Sequence, residues 1–100
     1  MTFRIERTTK AGTDLLHIWL AIAQDDPAAA DKHLRRLEQA ISELGDFPRM
    51  GPARDDISPG IRTILRAPYL IFYSVDDAEC TARVVRIVDA RRDLRVLFQD

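Results

Sequence analysis

Apolar positions recur with two different periods along this chain. Phe3-Arg4-Ile5-Glu6-Arg7 alternates apolar and polar, the period of a short strand, and Thr8 then offers a hydroxyl to cap a following helix. From Leu15 the period lengthens: Leu15, Ile18, Trp19 and Ile22 line one face of a helix, with Asp14, His17 and Gln24 off it. Gly12 weakens the first turn of that helix by up to about 1 kcal/mol relative to Ala. Asp26 suits a cap and Pro27 a first helical position, so Asp25-Asp26-Pro27 predicts a tight helical hairpin. The second helix carries Ala30, Leu34, Leu37, Ile41 and Leu44 on one face, and Gly45 is expected to end it in the left-handed conformation. Its other face, Asp31, Lys32, Arg35, Arg36, Glu38, Gln39 and Glu43, reads as solvated.

Prolines and glycines crowd the stretch from Phe47-Pro48-Arg49-Met50-Gly51-Pro52 to Ser58-Pro59-Gly60, which predicts a long connecting loop with Phe47 and Met50 plugged over the helices. Three β-rich runs follow: Ile61 to Ala67, Tyr69 to Val75 and Thr81 to Val88, divided by Pro68 and by the polar turn Asp76-Asp77-Ala78-Glu79. The order β-α-α-β-β-β predicts an α+β domain over residues 1–100, with both helices on one face of a small, mainly antiparallel sheet. Val84, Val85, Ile87 and Val88 put apolar groups on both faces of the last strand. Either a partner covers the second face, or Arg83 and Arg86 mark where its apolar surface gives out. The tail residues Leu94, Leu97 and Phe98 have helical spacing, so a short C-terminal helical segment is expected.

Charge changes this picture little at first. With 15 Lys+Arg against 16 Asp+Glu, the net charge of −1 supplies no polycation for bulk nucleic-acid binding. At 31% charged and 46% apolar the chain has the composition of one folded domain that buries roughly two-thirds of its unfolded-chain surface. No apolar run approaches the roughly 20 residues of a membrane helix, and the polar start lacks a signal-peptide core, so a cytoplasmic protein is expected. Cys80, the only cysteine, reads as a small residue at a strand start, and two histidines cannot by themselves form an ordinary zinc site. Neither a metal site nor a cofactor motif is expected.

Candidate chemistry therefore rests on arginine. Arg62 and Arg66 share a strand face, and Arg86 is expected to share its own with Ala82, Val84 and Val88. Were these faces to coincide, three guanidiniums would line a groove suited to an acidic peptide or an RNA backbone; the plainer alternative is pairing with carboxylates on neighbouring elements. Arg91-Arg92-Asp93-Leu94-Arg95 is the other basic cluster, with solvated tail charges as its alternative. Residues 61–100 carry 7 basic and 6 acidic groups against 8 and 10 in residues 1–60, so any nucleic-acid contact is local. His17 and His33 read as surface residues, and Tyr69 and Tyr73 as packing on one strand face. Trp19 reads as core, or as the edge of a groove for a partner.

Taken together the segments resemble the ParE branch of the RelE/ParE toxin superfamily. The likeness runs through Asp14-Leu15, Ile18-Trp19 and Ile22-Ala23, then Asp26-Pro27-Ala28-Ala29-Ala30 and Leu37-Glu38-Gln39-Ala40-Ile41. It continues through Phe47-Pro48-Arg49-Met50-Gly51, Pro59-Gly60-Ile61-Arg62, Tyr69-Leu70-Ile71-Phe72-Tyr73 and Arg91-Arg92-Asp93-Leu94. The resemblance implies the growth-arresting toxin of a type II toxin–antitoxin pair, bound as a hetero-oligomer by a ParD-like antitoxin that blocks it. ParE-like members poison DNA gyrase, whereas RelE-like members cut mRNA on the ribosome. Many nuclease relatives have His where Asp89 stands here, and no Tyr follows Tyr73. The expectation is therefore a gyrase inhibitor acting by protein contact, with no catalytic residues and no sequence-specific DNA binding of its own. An mRNA-cleaving toxin and a degenerate toxin that only binds its antitoxin are the alternatives. Arg91, Arg92, Leu94, Leu97 and Phe98 are the candidate gyrase-contact residues. Trp19, Arg62, Arg66, Tyr73 and Arg86 are the candidate antitoxin or groove residues.

Overall fold

A computed structural model describes residues 2–98. The elements follow the expected order: β1 (Arg4–Arg7), α1 (Thr9–Ala23), α2 (Pro27–Glu43), β2 (Arg62–Arg66), β3 (Tyr69–Asp76), β4 (Thr81–Asp89) and a closing 3₁₀ turn (Leu94–Phe98). Both predicted N-caps form. Thr8 Oγ1 accepts from Ala11 N at 3.0 Å, and Asp26 Oδ1 accepts from Ala29 N at 3.1 Å with Pro27 opening α2. Gly45 does not take the left-handed conformation expected of it. Its lack of a side chain serves a close approach, since a Cβ there would sit 3.2 Å from Thr2 Cγ2 and 3.3 Å from Phe3 O.

The sheet order is β1-β4-β3-β2, with β1 parallel to β4 and the other pairs antiparallel. Between β2 and β3 the chain turns through a cis Ala67–Pro68 peptide. A bulge between Phe72 and Tyr73 in the β3–β4 ladder pairs Phe72 with Arg86 but Tyr73 with Val84, leaving Val85 unmatched. Val84 and Ile87, three residues apart, therefore face the same side. They join Ile71, Tyr73, Ala82 and Ile64 under Leu15, Leu37, Ile41 and Leu44 of the helices.

The second face has its own cluster: Ile61, Leu70, Phe72 and Val88, covered by Ile57 from the loop and by Leu94, Leu97 and Phe98 from the 3₁₀ turn. The chain thus roofs part of its second face itself, and Arg86 and Arg83 border the apolar zone. Phe47 and Met50 do not plug the helices; Phe47 is 62% exposed. The loop is held instead by its backbone: Thr63 N donates to Pro52 O at 3.1 Å and Arg54 N to Ile61 O at 2.8 Å.

Candidate functional site

The three strand arginines end up on different surfaces. Arg62 and Arg66 pair across from Tyr73 and Tyr69 on the helix-covered face, whereas Arg86 pairs with Phe72 on the other. The bulge is the reason: past it the parity of β4 reverses, so Arg86 keeps Val88 for company but not Ala82 or Val84. The guanidinium groove posited from spacing alone does not form. Arg62 Nη1 donates to Gly51 O at 2.7 Å, and Arg66 Nη2 lies 3.8 Å from Glu43 Oε2. Tyr73 is buried among the core residues, where its hydroxyl accepts from Gly51 N at 3.0 Å.

Arg86 has a structural partner that spacing did not suggest. Strand β1 pairs with β4 only as far as Arg7 and Val84, so beyond that point α1 lies along the open edge of β4. Thr8 Oγ1 donates to Val85 O at 2.7 Å, and Asp14 Oδ2 accepts from Ile87 N at 2.9 Å. The same carboxylate takes Arg86 in a two-pronged pair, Nε to Oδ2 at 2.8 Å and Nη2 to Oδ1 at 3.1 Å, with both side chains about 15% exposed. The pair holds the Arg86 guanidinium even more firmly protonated than usual, chiefly through its hydrogen bond to Asp14. The only sequence signal for this clamp is an acidic residue at the margin of the apolar stripe.

A cleft of about 290 Å³ opens at the C-terminal end of β4, lined by Asp14, His17, Tyr69, Asp89 and Arg92 among others. Tyr69 also meets His33 edge-on, with ring centroids 6.0 Å apart. Arg91 binds Asp89 through its Nε at 2.9 Å and its backbone N–H at 2.9 Å. These hydrogen bonds hold the Asp89 carboxyl well below the usual carboxylate range. Burial, with the Asp89 charge adding to it, pushes the Tyr69 hydroxyl up. Sequence reasoning dismissed His17 and Tyr69 singly, because the fold alone brings them to one rim.

The tail divides its residues between two surfaces. Leu94, Leu97 and Phe98 pack toward the second face, with the Phe98 and Phe72 rings 5.3 Å apart and inclined at 61°. Arg91, Arg92 and Val96 are exposed. The Arg95 side chain lies outside what the structure describes.

The helical hairpin carries an outward apolar surface. Leu16 and Leu20, one turn apart, are 55% and 46% exposed. Beside them a groove of about 340 Å³ is lined by Arg7, Gly12, Leu15, Leu16, Trp19, Leu34 and Glu38. Trp19 is half-buried in its wall and not in the core; its indole N–H donates to Asp31 Oδ1 at 2.9 Å. Arg7 closes one end through a two-pronged pair with Glu38. Leu16 and Leu20 went unremarked in the sequence because they flank the periodic stripe.

The fold matches known proteins over almost its whole length. Toxin ParE3 of Caulobacter vibrioides is 29% identical over 92 residues, which are 91% of this chain and 90% of that protein. A structure of the chromosomal ParDE toxin–antitoxin system from P. aeruginosa superposes with a TM-score of 0.73 at 23% identity, covering 88% of this chain and 96% of that one. A mutant of E. coli toxin RelE in the free state superposes with a TM-score of 0.70 at 17% identity, covering 97% of this chain and 93% of that one. The family model for the ParE toxin of the type II toxin–antitoxin system parDE matches residues 5–94, and this chain belongs to that toxin family.

Proposed function

We propose that this toxin acts on DNA gyrase by protein–protein contact, without catalysis, and that a ParD-like antitoxin neutralises it by docking on the helical hairpin. The observation that carries the first half is the state of Asp89. Arg91 engages this carboxylate through its Nε and its backbone N–H, both at 2.9 Å, and a carboxylate so engaged is a poor proton acceptor for cutting RNA. Two cations that could steady a phosphodiester are also engaged, Arg86 by Asp14 and Arg62 by Gly51 O. In the gyrase contact Arg91, Arg92 and Val96 face outward, while Leu94, Leu97 and Phe98 hold them on the sheet. The exposed Leu16, Leu20 and groove-lining Trp19 support an apolar antitoxin segment on the hairpin. In this reading the toxin works in the cytoplasm, where gyrase acts on DNA.

A second reading, ribosome-dependent mRNA cleavage, is favoured by one observation: the cleft that gathers His17, Tyr69 and Arg92. Induction of the toxin alone in a bacterium separates the two. Gyrase poisoning predicts a DNA-damage response and loss of supercoiling by purified gyrase, with Arg91→Ala plus Arg92→Ala abolishing toxicity. Immediate arrest of translation with cleaved mRNA and unaffected gyrase, lost in His17→Ala or Tyr69→Phe, would establish the second reading instead.

A further inference from the structure

Thr8 pins the start of α1 onto the bulge of β4. Its hydroxyl accepts from Ala11 N at 3.0 Å and donates at 2.7 Å to the carbonyl of Val85, the residue that the bulge leaves unmatched. Between this helix start and the 3₁₀ turn lies a pocket of about 340 Å³, separate from the hairpin groove and from the cleft at the end of β4. Thr9 and Lys10 line it from α1, Val85 and Arg86 from β4, and Leu97 and Phe98 from the turn. Its walls are fixed before any partner arrives: Asp14 clamps Arg86, Thr8 holds α1, and the Phe98 ring leans on Phe72.

The lining is mostly apolar, and its charge comes to a single cation. Asp14 neutralises Arg86 through Nε and Nη2, which leaves Nη1 without a partner among the described residues. Lys10 is exposed, and among the described residues nothing pairs with its ammonium group. The first turn of α1 holds no acidic residue to offset that charge, and the helix N-terminus adds to it. One uncompensated cation beside apolar side chains matches one carboxylate on an apolar peptide segment. A nucleic-acid backbone, charged at every residue, calls for a row of cations that the pocket lacks.

We propose that this pocket anchors gyrase: one apolar side chain of a gyrase segment enters against Val85, Leu97 and Phe98, and a neighbouring Asp or Glu pairs with Lys10 and accepts from Nη1 of Arg86. This rests on the reading of the protein as a gyrase-directed toxin. The pocket is continuous with the contact proposed there, since Leu97 and Phe98 belong to the turn that carries Val96 and follows Arg91 and Arg92. A rigid apolar pocket with a charged rim is where an interface concentrates its binding energy.

Lys10→Glu reverses the charge at the rim, and an acidic residue suits a helix N-terminus, so the variant leaves α1 intact. Thr9→Trp fills the pocket from an exposed position. In titrations of the full chain against the gyrase holoenzyme, with and without DNA, both variants should bind at least about ten-fold more weakly than wild type. Lys10→Arg, which keeps the charge, should recover most of what Lys10→Glu loses. Wild-type affinity in either Lys10→Glu or Thr9→Trp overturns the anchor and leaves gyrase contact through the turn standing. A wild-type toxin that does not bind gyrase overturns both.

Discussion

A methyl group added at Gly12 and one added at Gly51 meet opposite surroundings. At Gly12 it would have nothing within 4 Å; at Gly51 it would stand 2.3 Å from Thr63 O. Gly12→Ala should therefore raise stability by about 0.5–1 kcal/mol through helix propensity and lost unfolded-state freedom. Gly51→Ala should lower it by at least about 1–3 kcal/mol, because backbone must move in a packed region. Urea unfolding of the pair checks both signs. Asp14 is the other residue whose role is out of proportion to its size, serving a guanidinium and a strand amide with one carboxylate. Asp14→Ala strands both, and a loss of about 2–4 kcal/mol is expected in the same assay, with Asp14→Asn retaining part through its amide oxygen.

The 3₁₀ turn is the element whose placement most alters what its residues can do. Leu94, Leu97 and Phe98 were expected as direct target contacts, and their helical spacing describes the segment well enough. Spacing cannot say that an apolar sheet face lies within reach, and the half-buried packing on Phe72 follows from that face. Phe98→Ala should cost about 1–2 kcal/mol, less than for a fully buried ring, and should raise the fluorescence of an apolar dye as Phe72 is uncovered. A variant with unchanged stability and no dye binding would show that the turn does not roof the sheet in solution. The hairpin is the converse case. Its length, N-caps and apolar stripe were legible residue by residue, because helix periodicity and N-capping are local properties.

For the molecule as a whole, Tyr73 ties the loop, β2 and the helix-facing core together through its bond to Gly51. Burial raises its hydroxyl above the ordinary value near 10.0, only partly opposed by Gly51 and by the charges of Arg62 and Arg49. A raised folded-state value means that stability is complete below about pH 10 and falls as pH rises further, because the unfolded chain releases that proton first. Unfolding curves between neutral pH and pH 11 should show this decline, and Tyr73→Phe should flatten it. Tyr69, also raised, accounts for a residual slope. A wild-type curve with no alkaline decline would contradict the burial of both rings.

What the sequence by itself determined was the order and type of the elements, both helix N-caps and the α+β class, since each depends on residues a few positions apart. The family could be read there too, being carried by short segments in a fixed order. Only the tertiary structure decided which faces the arginines occupy. A single bulged residue in β4 turns Arg86 away from Arg62 and Arg66, and no local pattern announces a bulge. The pocket at the start of α1 and the cleft at the end of β4 belong with it: each is formed by segments distant in sequence, and depends on where one strand stops pairing.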